Sequence, residues 1–115
     1  MKYSLDNLAQ QIYSNSKEKG FVGAYYDDAD HQNIDQKLLL IISEICEAQE
    51  TIRSGHLPTA VWYENAKPEG FGVELADALI RILDTCEALD IDIESLVMEK
   101  MNYNKTRPNK HGKKF

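Results

Sequence analysis

Residues 38–50 read LLLIISEICEAQE and residues 73–84 read VELADALIRILD, and these two runs decide the fold. Apolar residues recur in both at steps of three and four, the period of a helix. No window shows the strict alternation of a half-buried strand. Each run is apolar nearly all the way round, which predicts burial on nearly all sides. The first run belongs to a helix from about Asn33 or Asp35 to Arg53, with Gly55 just beyond it. The second belongs to a helix from about Gly72 to Leu89. Upstream, Ser4 is a good N-cap for a helix reaching about Lys19, with Leu5, Leu8 and Ile12 on one stripe and Gly20 placed to take a left-handed capping conformation. Downstream, Asp90 and Asp92 offer N-caps for a helix from Ile93 to about Thr106, before Pro108 turns the chain away from helical geometry. Residues 54–71 contain Pro58, Pro68 and Gly70, and a connection this long predicts a lid or a short extra helix. The expected architecture is all-α: a bundle of four main helices forming a single domain over residues 1–115, with 106–115 as a basic tail.

A chain of 115 residues has room for one domain. No apolar run approaches the roughly 20 residues that cross a bilayer, and the first residues lack the apolar core of a secretory signal, so the expected location is cytoplasmic, with no membrane partner. In such a reducing setting Cys46 and Cys86 are expected to be unpaired, inert core residues. His31, His56 and His111 show no metal-ligand spacing, which argues against zinc. The charge is lopsided: residues 1–99 hold all 19 acids and 7 of the 13 Lys and Arg, while residues 100–115 hold the other 6 bases and no acid. A basic tail on an acidic body can bind nucleic acid or bring cations to a phosphate.

The chemistry-bearing residues lie on the two apolar helices. Glu44 and Glu47, and again Glu74 and Asp77, are spaced i, i+3, so each pair shares a helix face. Acids embedded in apolar surroundings cost several kcal/mol each, or take up a proton, unless something compensates. A hard divalent cation does so, and Mg2+ (or Mn2+) prefers oxygen ligands shared with water and substrate phosphates. Arg81, one turn after Asp77, can also neutralise part of this charge as an ion pair, while Glu50 and Asp84 lie near the same stripes at the surface or behind the ligands. On the fourth helix Lys100, Asn104 and Arg107 follow i, i+4, i+7, a set of donors suited to phosphate oxygens and equally to a plain helix C-terminus. Trp62, in the long connection, is a candidate for stacking on a base. No Gly-x-x-x-x-Gly-Lys-[Ser/Thr] pattern is present, which excludes a P-loop. No helix is expected to contain a histidine, so the Glu-x-x-His pattern of di-iron bundles is missing as well.

The spacing Glu44-x-x-Glu47, 26 residues, Glu74-x-x-Asp77 resembles the signature of the MazG-like all-α nucleoside triphosphate pyrophosphatases. Residues 67–84, KPEGFGVELADALIRILD, and 99–115, EKMNYNKTRPNKHGKKF, resemble a small, often phage-associated branch of that superfamily. The resemblance covers roughly residues 35–115. It implies a helical bundle completed by dimerisation, as a homodimer or homotetramer, and hydrolysis of a (deoxy)nucleoside triphosphate to the monophosphate and pyrophosphate. It further implies metal ligation by Glu44, Glu47, Glu74 and Asp77, with Glu44 or Glu47 activating the water. Phosphate contacts would come from Lys100, Asn104 and, with less weight, Arg107. The competing expectation is a helical module without activity that binds nucleic acid or a partner through its basic tail. A third is a relative acting on another pyrophosphate, such as phosphoribosyl-ATP.

Overall fold

The computed structural model describes residues 4–19 and 31–108; Gly20 and the tail from residue 109 onward lie outside them. Four helices and one small hairpin make up this part of the chain: α1 (Leu5–Glu18), α2 (His31–Arg53), β1 (Trp62–Glu64), β2 (Lys67–Glu69), α3 (Phe71–Ala88) and α4 (Ile93–Lys105). The protein is mostly helical, as the periodicity predicts.

Local signals set most of the helix ends. Ser4 caps α1, its hydroxyl accepting from the Asn7 amide at 3.0 Å. Asp92 caps α4 in the same way, accepting from the amide and the hydroxyl of Ser95. Gly55, at φ +95°, ends α2, and Asp90, at φ +60°, follows α3 in the left-handed region that Asp tolerates better than most residues. Two expectations fail at the start of α2, which begins at His31, two to four residues before the expected caps Asn33 and Asp35. A helix therefore does contain a histidine. It stands 13 residues before Glu44, roughly 20 Å along the axis at 1.5 Å per residue, too far to join Glu44 or Glu47.

The long connection holds no extra helix. Its second half is an antiparallel hairpin in which Trp62 faces Glu69, Tyr63 faces Pro68 and Glu64 faces Lys67. Asn65 (φ 53°) and Ala66 (φ 68°) form its two-residue turn. Positive φ at both positions matches the right-handed twist of the strands. Gly70 then joins β2 to α3 at φ +147°, and a Cβ there would collide with the Ala60 carbonyl oxygen, so only glycine fits. Its own carbonyl accepts the Glu74 amide at 3.0 Å, opening α3.

α3 is the central element, packed against α2 on one side and α1 on the other, and α4 lies against α1. Small residues at these contacts, Ala9, Ala48 and Ala78, are buried and let the helices approach closely. α4 is also tied to the opposite end of the chain: Glu94 Oε1 accepts the Leu5 amide at 2.9 Å, supplying a carboxylate to the N-terminus of α1.

The interior is thin. Among the described residues the buried apolar side chains are Ala9, Ala48, Ala78, Leu83 and Cys86, and Leu83 is the largest that is fully enclosed. α2 is not covered all round by its own chain: Leu38, Leu39, Ile42 and Ile45 are exposed, Leu39 by 63 %. Cys46 is exposed too, and both cysteines are unpaired. No described helix is long and apolar enough to cross a membrane.

Candidate functional site

The facing surfaces of α2 and α3 form a cleft of about 550 Å³. Lys37, Leu40, Glu44 and Glu47 line it from α2, at i, i+3, i+7 and i+10. Glu74, Asp77, Arg81 and Asp84 repeat the same steps from α3. Each set is one helix face, spanning roughly 15 Å at 1.5 Å per residue. The helices run antiparallel, so the residues meet in rungs: Lys37 interacts with Asp84 and Arg81, Arg81 with Glu44, and Glu44 and Glu47 with Asp77 and Glu74.

The four predicted carboxylates are brought together at one end. Oxygens of Glu44, Glu74 and Asp77 all lie within 4.8 Å of one another. Glu44 stands in the middle, beside Glu47 and Glu74 and held by Arg81 Nε at 3.2 Å. Glu44 and Glu74 are 9 % and 8 % exposed, whereas Glu47 is exposed. Crowding of like charges in a partly dry site has the expected result. Burial, then the Glu44 hydrogen bond and the charges of Glu47 and Asp77, push the Glu74 carboxyl up to about 7. Burial also raises Asp77 and Glu47, helped in each case by the charge of Glu44 and opposed by that of Lys67.

Lys37, 7 % exposed, marks the other end of the cleft. Burial lowers its pKa while the Asp84 carboxylate works against that shift. Asp84 is raised by burial, although a hydrogen bond from Ser16 and the charges of Lys37 and Arg81 oppose this. Its Oδ1 is buried without a hydrogen-bond partner among the described residues. Ser16 brings α1 to this end, and Leu40 and Ile80 supply apolar wall.

Other expected site residues lie elsewhere in the single chain. Lys100, Asn104 and Arg107 are not among the cleft-lining residues; Lys100 and Arg107 both sit over the Tyr103 ring, 4.9 and 5.6 Å from its centre. Trp62 is away from the cleft as well, stacked on His56 with ring centres 4.1 Å apart and donating its indole N–H to Glu64 at 3.0 Å. Glu50 is exposed and outside the cleft, whereas Asp84 lines it.

The cleft also contains cations that pattern reading passed over. Lys37 could have been found, since it lies seven residues before Glu44 on the same face. Lys67 could not, because its place depends on a hairpin with no strand signal.

The donor set fits a hard cation. Every candidate ligand is a carboxylate oxygen, and the three lie within 4.8 Å of one another, so small side-chain rotations would bring them to the roughly 3–4 Å ligand separations of an octahedral Mg2+ with bonds of about 2.1 Å. The shared strain of Glu44, Glu74 and Asp77 is what a divalent ion relieves. No protein-family model, no curated protein and no solved structure matches the chain, and the function of the cleft is read from its residues.

Proposed function

We propose that the protein is a Mg2+-dependent nucleoside triphosphate pyrophosphohydrolase. The observation that carries this reading is the convergence of Glu44, Glu74 and Asp77 from two antiparallel helices to within 4.8 Å, in a cleft that also presents Lys37, Lys67 and Arg81. Carboxylates for a metal beside cations for phosphate are the two requirements of phosphoryl chemistry of this kind. The likeness of the two acidic motifs to those of the MazG-like enzymes points the same way. A volume of about 550 Å³ lies within the roughly 300–1,000 Å³ range of small-molecule sites.

In this reading Glu44, Glu74 and Asp77 hold the cation, which supplies charge neutralisation at the phosphates and a water of lowered pKa. Glu47 is the general base. It is exposed at the cleft mouth, and partial loss of solvent there together with the Glu44 charge raises its pKa, so its carboxylate is the better proton acceptor. Arg81 fixes Glu44 and keeps it from turning toward solvent. Attack at the α-phosphorus then yields the monophosphate and pyrophosphate. The far end of the cleft, with Leu40, Ile80, Ser16 and Asp84, is left for the nucleoside.

The reading includes an assembly. Exposed Leu38, Leu39, Ile42 and Ile45 on α2, with Leu79 on α3 and Met101 on α4, are the surface that a second copy of the chain covers. A stable interface buries on the order of 800 Å² per partner. Lys100, Asn104 and Arg107 would then reach the phosphates from a neighbouring copy.

The deciding experiment incubates the protein and Mg2+ with ribo- and deoxynucleoside triphosphates and scores pyrophosphate separately from phosphate. Pyrophosphate with the matching monophosphate, lost on chelation, is expected. Release of phosphate alone, or turnover indifferent to chelation, would refute the proposal.

A further inference from the structure

The carboxylate end of the cleft has a cation beside it that does not belong to either long helix. Lys67 is the first residue of β2, next to the turn, and its side chain lines the cleft together with Glu47, Glu74 and Asp77. Its charge acts on all three carboxylates. The ammonium is held by Glu69, with Nζ 3.3 Å from Oε2. Residues two apart on a strand point to the same side, so Glu69 is built to meet Lys67. The two side chains differ in freedom: Lys67 is 72 % exposed and Glu69 20 %.

The hairpin carrying them is firmly placed. Gly70 lies against the Ala60 carbonyl with no room for a side chain, and its carbonyl accepts the first amide bond of α3. Lys67 is thereby fixed at its backbone three residues before Gly70, while its long side chain can swing.

We propose that Lys67 is a phosphate-binding residue of the cleft, and that Glu69 competes with the polyphosphate for its ammonium. The inference rests on the pyrophosphohydrolase reading above and extends it to a residue outside the metal set. With Lys67 72 % exposed, its ammonium is solvated and the pair is weakly bound, on the order of 1 kcal/mol, so a polyanion brought to the carboxylate end by a cation can displace Glu69. An ammonium close to a phosphate beside several carboxylates also offsets their repulsion of the incoming anion. In the chain itself Lys100, Asn104 and Arg107 do not line the cleft, whereas Lys67 does.

The test uses inorganic tripolyphosphate as a probe without a base, titrated calorimetrically into the full-length protein in saturating Mg2+. Mg2+ binding alone is measured in parallel. Lys67→Met is expected to weaken tripolyphosphate binding about tenfold, the scale of one charge-assisted contact. Lys67→Arg should retain most of the affinity. Glu69→Gln, which removes the competitor, should tighten it about threefold. Mg2+ binding without polyphosphate should change little in any of them. Unaltered affinity in Lys67→Met would overturn the assignment of Lys67 while leaving the metal site standing. Weaker binding in Glu69→Gln would show that Glu69 orients Lys67 and does not compete for it, overturning that half. A wild-type protein that binds neither Mg2+ nor tripolyphosphate would overturn the assignment together with the reading it rests on. Circular dichroism of the Lys67 and Glu69 variants should match wild type.

Discussion

The two faces of α2 are each the reverse of an ordinary helix. Its inward face holds Lys37 and Glu44, both under 10 % exposed, while Leu39 and Ile42 on the outward face are 63 % and 55 % exposed. Buried carboxylates cost several kcal/mol unless compensated, and exposed aliphatic surface forgoes about 25 cal/mol per Å². Arg81 pairs with Glu44 and the Asp84 charge favours the Lys37 ammonium, so the first cost is partly met within the chain, whereas the aliphatics stay exposed. α2 thus turns a charged face to the cleft and an apolar face away from it. The comparison can be broken on either side.

The largest effect is expected on the inward face. Asp77→Asn and Glu47→Gln preserve size and remove one negative charge each, so the helices should remain intact by circular dichroism. Turnover should fall by about a thousandfold or more, as expected when a metal ligand or general base is lost. Near wild-type pyrophosphate release in both variants would end the case for the cluster as a catalytic site.

On the outward face, Leu39→Glu with Ile42→Glu places two charges in the proposed interface. Desolvating them would cost several kcal/mol on association, which shifts a micromolar dimer to monomer. Light scattering should report an oligomer for wild type and a monomer for the double variant, with the helical content of the remaining chain retained. A monomeric wild-type protein at micromolar concentration would mean that these aliphatics face water by design.

What could be read from the sequence divides along the same line. The i, i+3 spacing of Glu44/Glu47 and of Glu74/Asp77 is a local property of a helix, and periodicity alone places each pair on one face. The caps Ser4 and Asp92 and the stop at Gly55 are equally local, and all appear where the residue chemistry demands. The antiparallel rungs are not local: Lys37 meets Asp84 only after α2 and α3 have packed. The hairpin escaped notice because strands of three residues are too short to alternate visibly, and its turn uses Asn65–Ala66 in place of the glycine that normally signals such a turn. All-round apolarity in so short a chain predicts that part of this surface needs cover from outside the chain, but it does not say which of the residues are left open.

The smallest effect concerns stability and isolates the compressed carboxylates from catalysis. Glu74 titrates near 7 in the folded protein against 4.5 as an ordinary glutamate. Folding therefore favours its protonated form. The contribution is fully present below about pH 4.5 and is lost as pH rises through 7. Asp77 and Glu47 are raised and act in the same direction. Asp92 is lowered and acts oppositely, but below the usual aspartate range. Lys37 is lowered from 10.5 by burial and the charge of Arg81, against the Asp84 charge, and acts oppositely, favouring folding more as pH rises toward its unfolded value. In chelator the melting temperature should thus be higher at pH 5 than at pH 8, by several degrees for a domain of this size. Mg2+ should raise it at pH 8 and do little at pH 5, because the ion and the proton compete for the same oxygens. A melting temperature flat between pH 5 and 8 in chelator would mean that Glu74 is solvated like a surface acid. The α3 side of the cleft would then behave like an ordinary polar face, and the contrast with the exposed aliphatics of α2 would rest on Lys37 and Glu44 alone.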